Sequence, residues 1–148
     1  MALGIPQLES LLPDASIVVG ASVANRDEAI RAAGSLLVDA GAAKPDYVEQ
    51  MLDRERVVST FVGDGVAMPH GTLTAKNDVL AEGLSVLVLV EPVDWAGQPV
   101  TLVIGIAAHG RRYITLLSQL AATLLDDDRV AALHAAATPG EVRKLLAS

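Results

Sequence analysis

Residues 84–108 of the chain read LSVLVLVEPVDWAGQPVTLVIGIAA. The two ends of this stretch, residues 84–90 and 100–108, are almost wholly apolar, which is typical of strands that are covered on both faces. Residues 92–99 lie between them, begin and end with proline and contain glycine, and are predicted to be a turn. Two strands joined by a short turn are expected to be antiparallel neighbours. The stretch therefore predicts the buried centre of a sheet.

Segments with helical periodicity flank these strands. Asn25, with Glu28 three residues later, resembles a capping box and predicts a helix that Gly41 ends. Pro45 opens a second helix, which runs to Arg56. A further strand is predicted at 16–20, and further helices at 111–125, at 130–136 and from 138 onward. Helices that alternate with buried strands predict an α/β fold, a three-layer sandwich whose mixed parallel and antiparallel sheet has helices on both faces.

Composition and charge limit the class of protein. The chain has 148 residues, 51% of them hydrophobic, which suits a single domain over residues 1–148 and argues against disorder. It has no cysteine, so disulfides and thiolate sites are excluded. The net charge of −7 argues against nucleic acid as a partner. No apolar run could span a membrane and no secretory leader is present, so we expect a free-standing cytoplasmic protein.

A second stretch, GDGVAMPHGT at residues 63–72, holds the candidate nucleophile. Its apolar run predicts a buried strand that Pro69 ends, because proline has no N–H for the ladder. His70 is then expected at a strand end, open at the rim of the sheet, with Gly71 allowing a close approach of the backbone. The ordinary pKa of an imidazole is about 6.5, so much of the histidine is neutral and nucleophilic at cytoplasmic pH. An ordinary turn that contains a histidine is the alternative.

Four segments resemble the IIA components of the bacterial sugar phosphotransferase system, in the mannitol–fructose class. They are YVEQMLDRER at 47–56, GDGVAMPHGT at 63–72, AK at 75–76 and IGIAA at 104–108. The helix that ends in Leu-Asp-Arg-Glu is typical of the mannitol branch, whereas the turn at 93–99 is closer to fructose and nitrogen-regulatory relatives. The resemblance extends from about Ile17 to the last predicted helix.

The resemblance implies a phosphoryl carrier with a phosphohistidine intermediate. In this family HPr donates the phosphoryl group, a cysteine of the IIB component accepts it, and the membrane component IIC moves the sugar, mannitol or a related one, inward. His70 matches the phosphorylated histidine, and the resemblance suggests Nε2 as the reacting nitrogen. Arg54 matches the arginine expected beside it, and Asp64 matches an acidic residue near the site in the mannitol branch. The alternative is a nitrogen-regulatory IIA-like protein whose phosphohistidine state controls partner proteins.

These residue types suit phosphoryl transfer. A guanidinium fork can hold a phosphoryl group by paired hydrogen bonds, although a solvated helix end is the other interpretation of Arg54. Backbone N–H groups near Gly71 and Thr72 are further candidate donors. A phosphoramidate donor needs no metal, and we expect neither a metal nor another cofactor.

One family position departs from the pattern. The histidine that normally opens the helix after IGIAA is replaced by Tyr113, and a histidine, His109, stands four residues earlier. Either the Tyr113 hydroxyl donates to the phosphoryl group, or His109 reaches it from the strand end, or neither residue touches it. Among the other candidates, Tyr47 is predicted to be core and His134 structural.

Overall fold

A mixed sheet forms the middle layer of the computed structural model, which describes residues 8–72, 75–108 and 110–147 and, at residues 8, 9, 75, 76 and 110–113, the backbone alone. Its strands are β1 (Ile17–Ala21), β2 (Phe61–Gly63), β3 (Val66–Ala67), β4 (Gly83–Trp95) and β5 (Gln98–Ala107). They lie in the order β1-β4-β5-β3-β2. The β1–β4 and β3–β5 pairs are parallel, and the β2–β3 and β4–β5 pairs are antiparallel. The predicted mixed sheet is confirmed.

Helices cover both faces of this sheet. The described helices are α1 (Leu8–Leu11), α2 (Arg26–Asp39), α3 (Asp46–Val57), α4 (Gly110–Leu124), α5 (Asp127–His134) and α6 (Pro139–Ala147). Apolar residues of α2 and α3 form one core with Leu87 and Leu89, whereas those of α4, α5 and α6 form a second core with Val86 and Val88. Successive side chains of a strand point to opposite faces, so β4 contributes to both cores. The predicted three-layer sandwich is confirmed.

The ends of the second helix follow the sequence signals. The Asn25 side chain accepts a hydrogen bond from the Glu28 N–H at 2.9 Å, as a helix N-cap does. Gly41, just past the helix, has a φ of 79°, which is the left-handed conformation of a C-terminal cap. Within the described residues, no helix combines the length and the apolar character that crossing a membrane requires.

The predicted turn at 92–99 is too long. Strand β4 continues through Pro92, and the turn consists of Ala96 and Gly97 alone, with φ values of 54° and 88°. Two positive φ values suit a two-residue hairpin whose twist matches that of its strands. Pro92 is tolerated because it falls within a shift of the β4–β5 pairing register, where the ladder is already interrupted.

Candidate active site

His70 lies at the end of an extended segment beside the central strand β5. After β3 the chain stays parallel to β5 and forms one more bridge, between His70 and Ile106. The Ile106 N–H donates to the Pro69 carbonyl at 3.0 Å. Strand β3 therefore ends at Ala67 rather than at Pro69, and the bridge to β5 fixes the backbone that carries the histidine.

The His70 ring is oriented by the backbone two residues before it. Its Nδ1 lies 2.9 Å from the carbonyl oxygen of Met68. A carbonyl oxygen only accepts hydrogen bonds, so Nδ1 carries the ring hydrogen, and in the neutral ring the lone pair lies on Nε2. Nε2 is therefore the nucleophilic nitrogen of this imidazole.

The ring lines a cleft of about 290 Å³. Among the residues with described side chains, the cleft is lined by Arg54, Ser59, Thr60, Phe61, Val62, Met68, His70, Leu117 and Ala121. His70 is only 5% exposed, so the expectation of an open imidazole at the rim of the sheet is wrong. The ring forms part of the wall of the cleft instead, because the Pro69–Gly71 backbone is held against β5.

Arg54 lies in the last turn of α3 and lines the same cleft. Its Nη1 donates to the Val58 carbonyl at 2.7 Å, where the helix ends. The bond to Val58 supports the interpretation of Arg54 as a helix end, and the place of the residue in the cleft leaves the phosphoryl-binding role a prediction. The structure brings these two predicted site residues together.

The cleft environment favours the neutral imidazole. Burial of the ring lowers the pKa of His70 below its ordinary value of 6.5, because the charged form loses its hydration. The hydrogen bond to Met68 opposes this change, and the charge of Arg54 lowers the pKa further. The ring is therefore held in its nucleophilic form at neutral pH.

We expect the His70 ring to stay neutral as the pH falls through 6.5, because its pKa lies below that ordinary value. In the unfolded chain the ring takes up a proton near 6.5, so below this pH the unfolded state binds more protons than the folded state. The contribution of His70 to the free energy of unfolding is therefore intact above pH 6.5 and is lost as the pH falls through the folded pKa. NMR titration of the ring nitrogens checks this expectation, and a midpoint at or above 6.5 would contradict it.

Asp64 is not among the described residues that line the cleft of His70. It occupies the turn between β2 and β3, with a φ of 51° and an exposed side chain. Its backbone carbonyl is 2.8 Å from Nε2 of His134. The extended segment 66–70 separates the turn from the histidine, and its four steps of ~3.3 Å span about 13 Å. Asp64 is therefore outside the described lining of the cleft, and its role near the site stays a prediction.

The second family position falls outside what the structure describes. His109 is not among the described residues, and Tyr113 is described only by its backbone, in the first turn of α4. The three hypotheses about these residues therefore stay open. Among the described residues, no group of three or more histidine, cysteine, aspartate or glutamate side chains could hold a metal ion.

Tyr47 has a role that the sequence analysis missed. Its ring is buried, as predicted, but its hydroxyl donates to the Ile106 carbonyl at 2.7 Å and accepts from the Gly71 N–H at 2.9 Å. The hydroxyl thus ties the residue after His70 to β5. The expectation that the Gly71 N–H serves an anion is wrong, because Tyr47 accepts from it. The sequence did contain a signal for this role. A tyrosine in the apolar stripe of a helix has a buried hydroxyl, and a buried hydroxyl normally has a hydrogen-bond partner.

Replacing Gly71 by alanine is expected to destabilise the fold. A Cβ at this position would lie 2.8 Å from Cζ of the Tyr47 ring, which is closer than such atoms approach. We expect a loss of about 1–3 kcal/mol in the free energy of unfolding, the usual cost of overpacking a core. Gly140→Ala is the matched control, because nothing lies within 4 Å of a Cβ there. Denaturant titration of both variants checks this, and equal stability would contradict the packing argument.

Comparison with known proteins agrees with this geometry. Residues 10–148 match the family described as phosphoenolpyruvate-dependent sugar phosphotransferase system, EIIA 2. The mannitol-specific phosphotransferase enzyme IIA component of Halalkalibacterium halodurans is 43% identical over 138 residues, which cover 93% of this chain and 95% of that protein. The mannitol-specific EIICBA component of Pasteurella multocida is 38% identical over 146 residues, which cover 96% of this chain and 23% of that protein.

A solved structure gives the same result. The mannitol enzyme IIA of Escherichia coli, in its complex with phosphorylated mannitol enzyme IIB, superposes with a TM-score of 0.82 at 37% identity. The alignment covers 88% of this chain and 93% of that one. The chain therefore belongs to the EIIA type 2 family of the phosphoenolpyruvate-dependent sugar phosphotransferase system, as a phosphotransferase component of the mannitol-like kind.

Proposed function

We propose that this chain is the phosphoryl carrier of mannitol uptake and that His70 is its transient phosphoryl acceptor. The observation that carries the proposal is the 2.9 Å contact between His70 Nδ1 and the Met68 carbonyl. It puts the lone pair of the neutral ring on Nε2, and His70 lines a cleft together with Arg54. In this proposal residues 1–148 act as a single IIA domain on the cytoplasmic side of the membrane.

The first step is transfer from phospho-HPr. Nε2 of His70 attacks the phosphorus of the donor phosphohistidine, and the donor N–P bond breaks as the new N–P bond forms. The leaving imidazole keeps the electron pair of the broken bond. The His70 ring gains positive character, which the Met68 carbonyl stabilises through the Nδ1–H. The guanidinium of Arg54 binds the negatively charged equatorial oxygens, because phosphoryl transfer depends on positioning and on charge stabilisation.

The second step passes the group to the IIB component. A cysteine thiolate of IIB attacks the same phosphorus, and His70 leaves as a neutral ring. Two relatives support this partnership. The similar IIA protein of Escherichia coli was solved with phosphorylated IIB, and the similar Pasteurella multocida protein is an EIICBA component. We infer that IIB accepts the phosphoryl group directly from this chain and that IIC depends on the chain only through IIB.

Both partners must reach one cleft. Its wall includes Val62, which is 49% exposed, together with the partly exposed apolar side chains of Phe61 and Leu117. A relay must release each partner, so we expect small interfaces, below about 1,200 Å² in total. HPr and IIB then compete for the same surface. Simultaneous binding of both to one chain would contradict a shared cleft.

A relay assay tests the proposed function. The purified chain is incubated with radiolabelled phospho-HPr, then with a mannitol IIB domain, and acid-labile phosphate is followed on each protein. We expect label to reach the chain and then to move to IIB. Label that never reaches the chain would refute the phosphocarrier. Label that reaches the chain but not IIB would favour the nitrogen-regulatory alternative.

The same assay decides between the candidates at the second family position. Tyr113→Phe removes only the hydroxyl, and His109→Ala removes the imidazole. A slower transfer in one variant would assign the supporting role to that residue. Transfer at the wild-type rate in both would show that neither residue touches the phosphoryl group.

A further inference from the structure

Glu55 is a buried carboxylate that the proposed phosphoryl transfer does not use. It is 3% exposed and lies in α3, directly after Arg54. Its Oε2 accepts from the Thr60 N–H at 2.6 Å, and its Oε1 accepts from the Thr60 hydroxyl at 2.7 Å. Its Oε1 also accepts from the indole N–H of Trp95 at 2.5 Å. A buried carboxylate is costly to keep unless donors surround it, and these three bonds meet that need.

The anchored residue is connected to the His70 ring. The Thr60 carbonyl accepts from the Met68 N–H at 3.0 Å. The Met68 carbonyl in turn accepts from Nδ1 of His70 at 2.9 Å. A continuous series of hydrogen bonds therefore runs from the Trp95 indole through Glu55 to the imidazole.

This series transmits position rather than charge. The N–H and the carbonyl of one residue belong to different peptide groups, so polarisation does not pass directly along it. The series fixes the position of the Thr60 backbone. That position fixes the Met68 carbonyl, and the carbonyl in turn fixes the rotation of the His70 ring. Thr60, Met68 and His70 also line the cleft together, so Glu55 supports one of its walls.

We propose that Glu55 is a positioning residue for phosphoryl transfer, which aims Nε2 of His70 by anchoring Thr60 and, through it, the Met68 carbonyl. The indole N–H of Trp95 holds the carboxylate in place. This inference rests on the proposed function of His70, but the orientation of the ring is testable without any phosphoryl donor. Outer-shell partners that orient metal-ligating histidines typically change activity by about 10–100-fold when they are removed, and we expect an effect of the same order here.

The alternative is that Glu55 only attaches the β4–β5 hairpin to α3. Such a structural role would lower the stability of a variant and leave the tautomer of the His70 ring unchanged. The tautomer of the His70 ring therefore distinguishes the two roles, whereas the melting temperature does not.

The test compares Glu55→Gln with wild type. The Thr60 N–H donates to Oε2 and the Trp95 indole N–H donates to Oε1, so the amide NH₂ of glutamine places a donor against one of these two N–H groups in either orientation. Ring-¹⁵N NMR of the unphosphorylated proteins reports the tautomer of each of the three histidines. Signals of His70 are assigned by their loss in His70→Asn. We expect Nδ1–H alone in wild type and a mixture of tautomers in Glu55→Gln.

Transfer from phospho-HPr is the second readout. We expect the maximal rate of Glu55→Gln to fall about 10–100-fold with little change in the HPr concentration at half-maximal rate. Glu49→Gln is the matched control, because Glu49 lies on the same helix and forms an exposed ion pair with Arg31 at 2.9 Å. It should match wild type in both readouts.

The possible outcomes are distinct. A folded Glu55→Gln protein in which His70 keeps the wild-type tautomer would overturn the proposal, whatever its rate of transfer. If that variant does not fold, Thr60→Val removes the hydroxyl donor at nearly constant volume, and Trp95→Phe removes the indole N–H together with part of the ring. Those two variants must then show a changed His70 tautomer, and an unchanged ring in both would overturn the proposal as well. If wild type accepts no label, the proposed function fails, while the tautomer comparison still decides the role of Glu55.

Discussion

His70→Asn is expected to abolish phosphoryl acceptance, reducing the rate at least about 10⁴-fold, as removal of a covalent nucleophile does. The asparagine NH₂ can take the place of Nδ1–H as donor to the Met68 carbonyl, so the local hydrogen bond and the fold should persist. The asparagine amide has no nucleophilic nitrogen. Incubation with phospho-HPr followed by intact-mass spectrometry measures the added phosphoryl group directly.

The matched control for this loss is a second histidine. His134 lies outside the cleft, with its Nδ1 2.6 Å from the Thr101 hydroxyl and its Nε2 2.8 Å from the Asp64 carbonyl. His134→Gln should accept label at the wild-type rate, with a loss of about 1 kcal/mol in stability for each hydrogen bond removed. If His70→Asn still accepted the phosphoryl label and His134→Gln did not, the acceptor would be His134 and not His70.

Arg54→Gln is expected to have the next largest effect, a fall of about 10³–10⁵-fold in the rate of acceptance, the range found for arginines that stabilise transferred phosphoryl groups. The planar guanidinium can hold two phosphoryl oxygens at once, whereas glutamine offers one neutral donor group. Arg54→Lys keeps the charge without the fork, so its rate should be intermediate. Rapid-quench measurement with labelled phospho-HPr resolves all three proteins.

The pH dependence of the Arg54→Gln defect separates two roles of the arginine. Removing the cation also removes one cause of the lowered pKa of His70, so this pKa should rise in the variant. At about pH 8 the ring is neutral in both proteins, and a defect that persists there belongs to phosphoryl stabilisation. A defect that disappears at that pH would show that Arg54 acts only by keeping the ring neutral.

A neighbouring arginine gives the control for this second variant. Arg56 lies at the same helix end and is exposed, paired with Asp53 at 2.6 Å. Arg56→Gln should transfer at the wild-type rate. A comparable defect in Arg56→Gln would mean that general positive charge at this helix end, and not the guanidinium in the cleft, supports transfer.

Local patterns were sufficient for most of the architecture. The two apolar runs around residues 84–108 marked the central strands, since only a buried strand tolerates so few polar side chains. The capping residues of α2 marked its ends, because their chemistry acts within a few residues. The error at residues 92–99 arose because a proline was interpreted locally. A register shift between strands makes Pro92 acceptable, and pairing register is not a local property.

The candidate site was predicted in part. His70 and Arg54 were found from residue type and resemblance, and the structure brings both to one cleft. Asp64 was placed near them by its resemblance to the mannitol branch, but it is not among the residues that line the cleft. Tyr47 and Glu55 were missed because their roles depend on partners far along the chain, Ile106 and Trp95.

By itself the sequence determined which segments are buried, which family the chain resembles and which imidazole is the candidate nucleophile. Those properties depend on side-chain type and on spacing within single elements. Only the tertiary structure decided which ring nitrogen of His70 holds the hydrogen, how far the ring is buried and which groups hold it in place. Those properties depend on hydrogen bonds between elements, and a chain acquires such bonds only when its strands and helices are packed together.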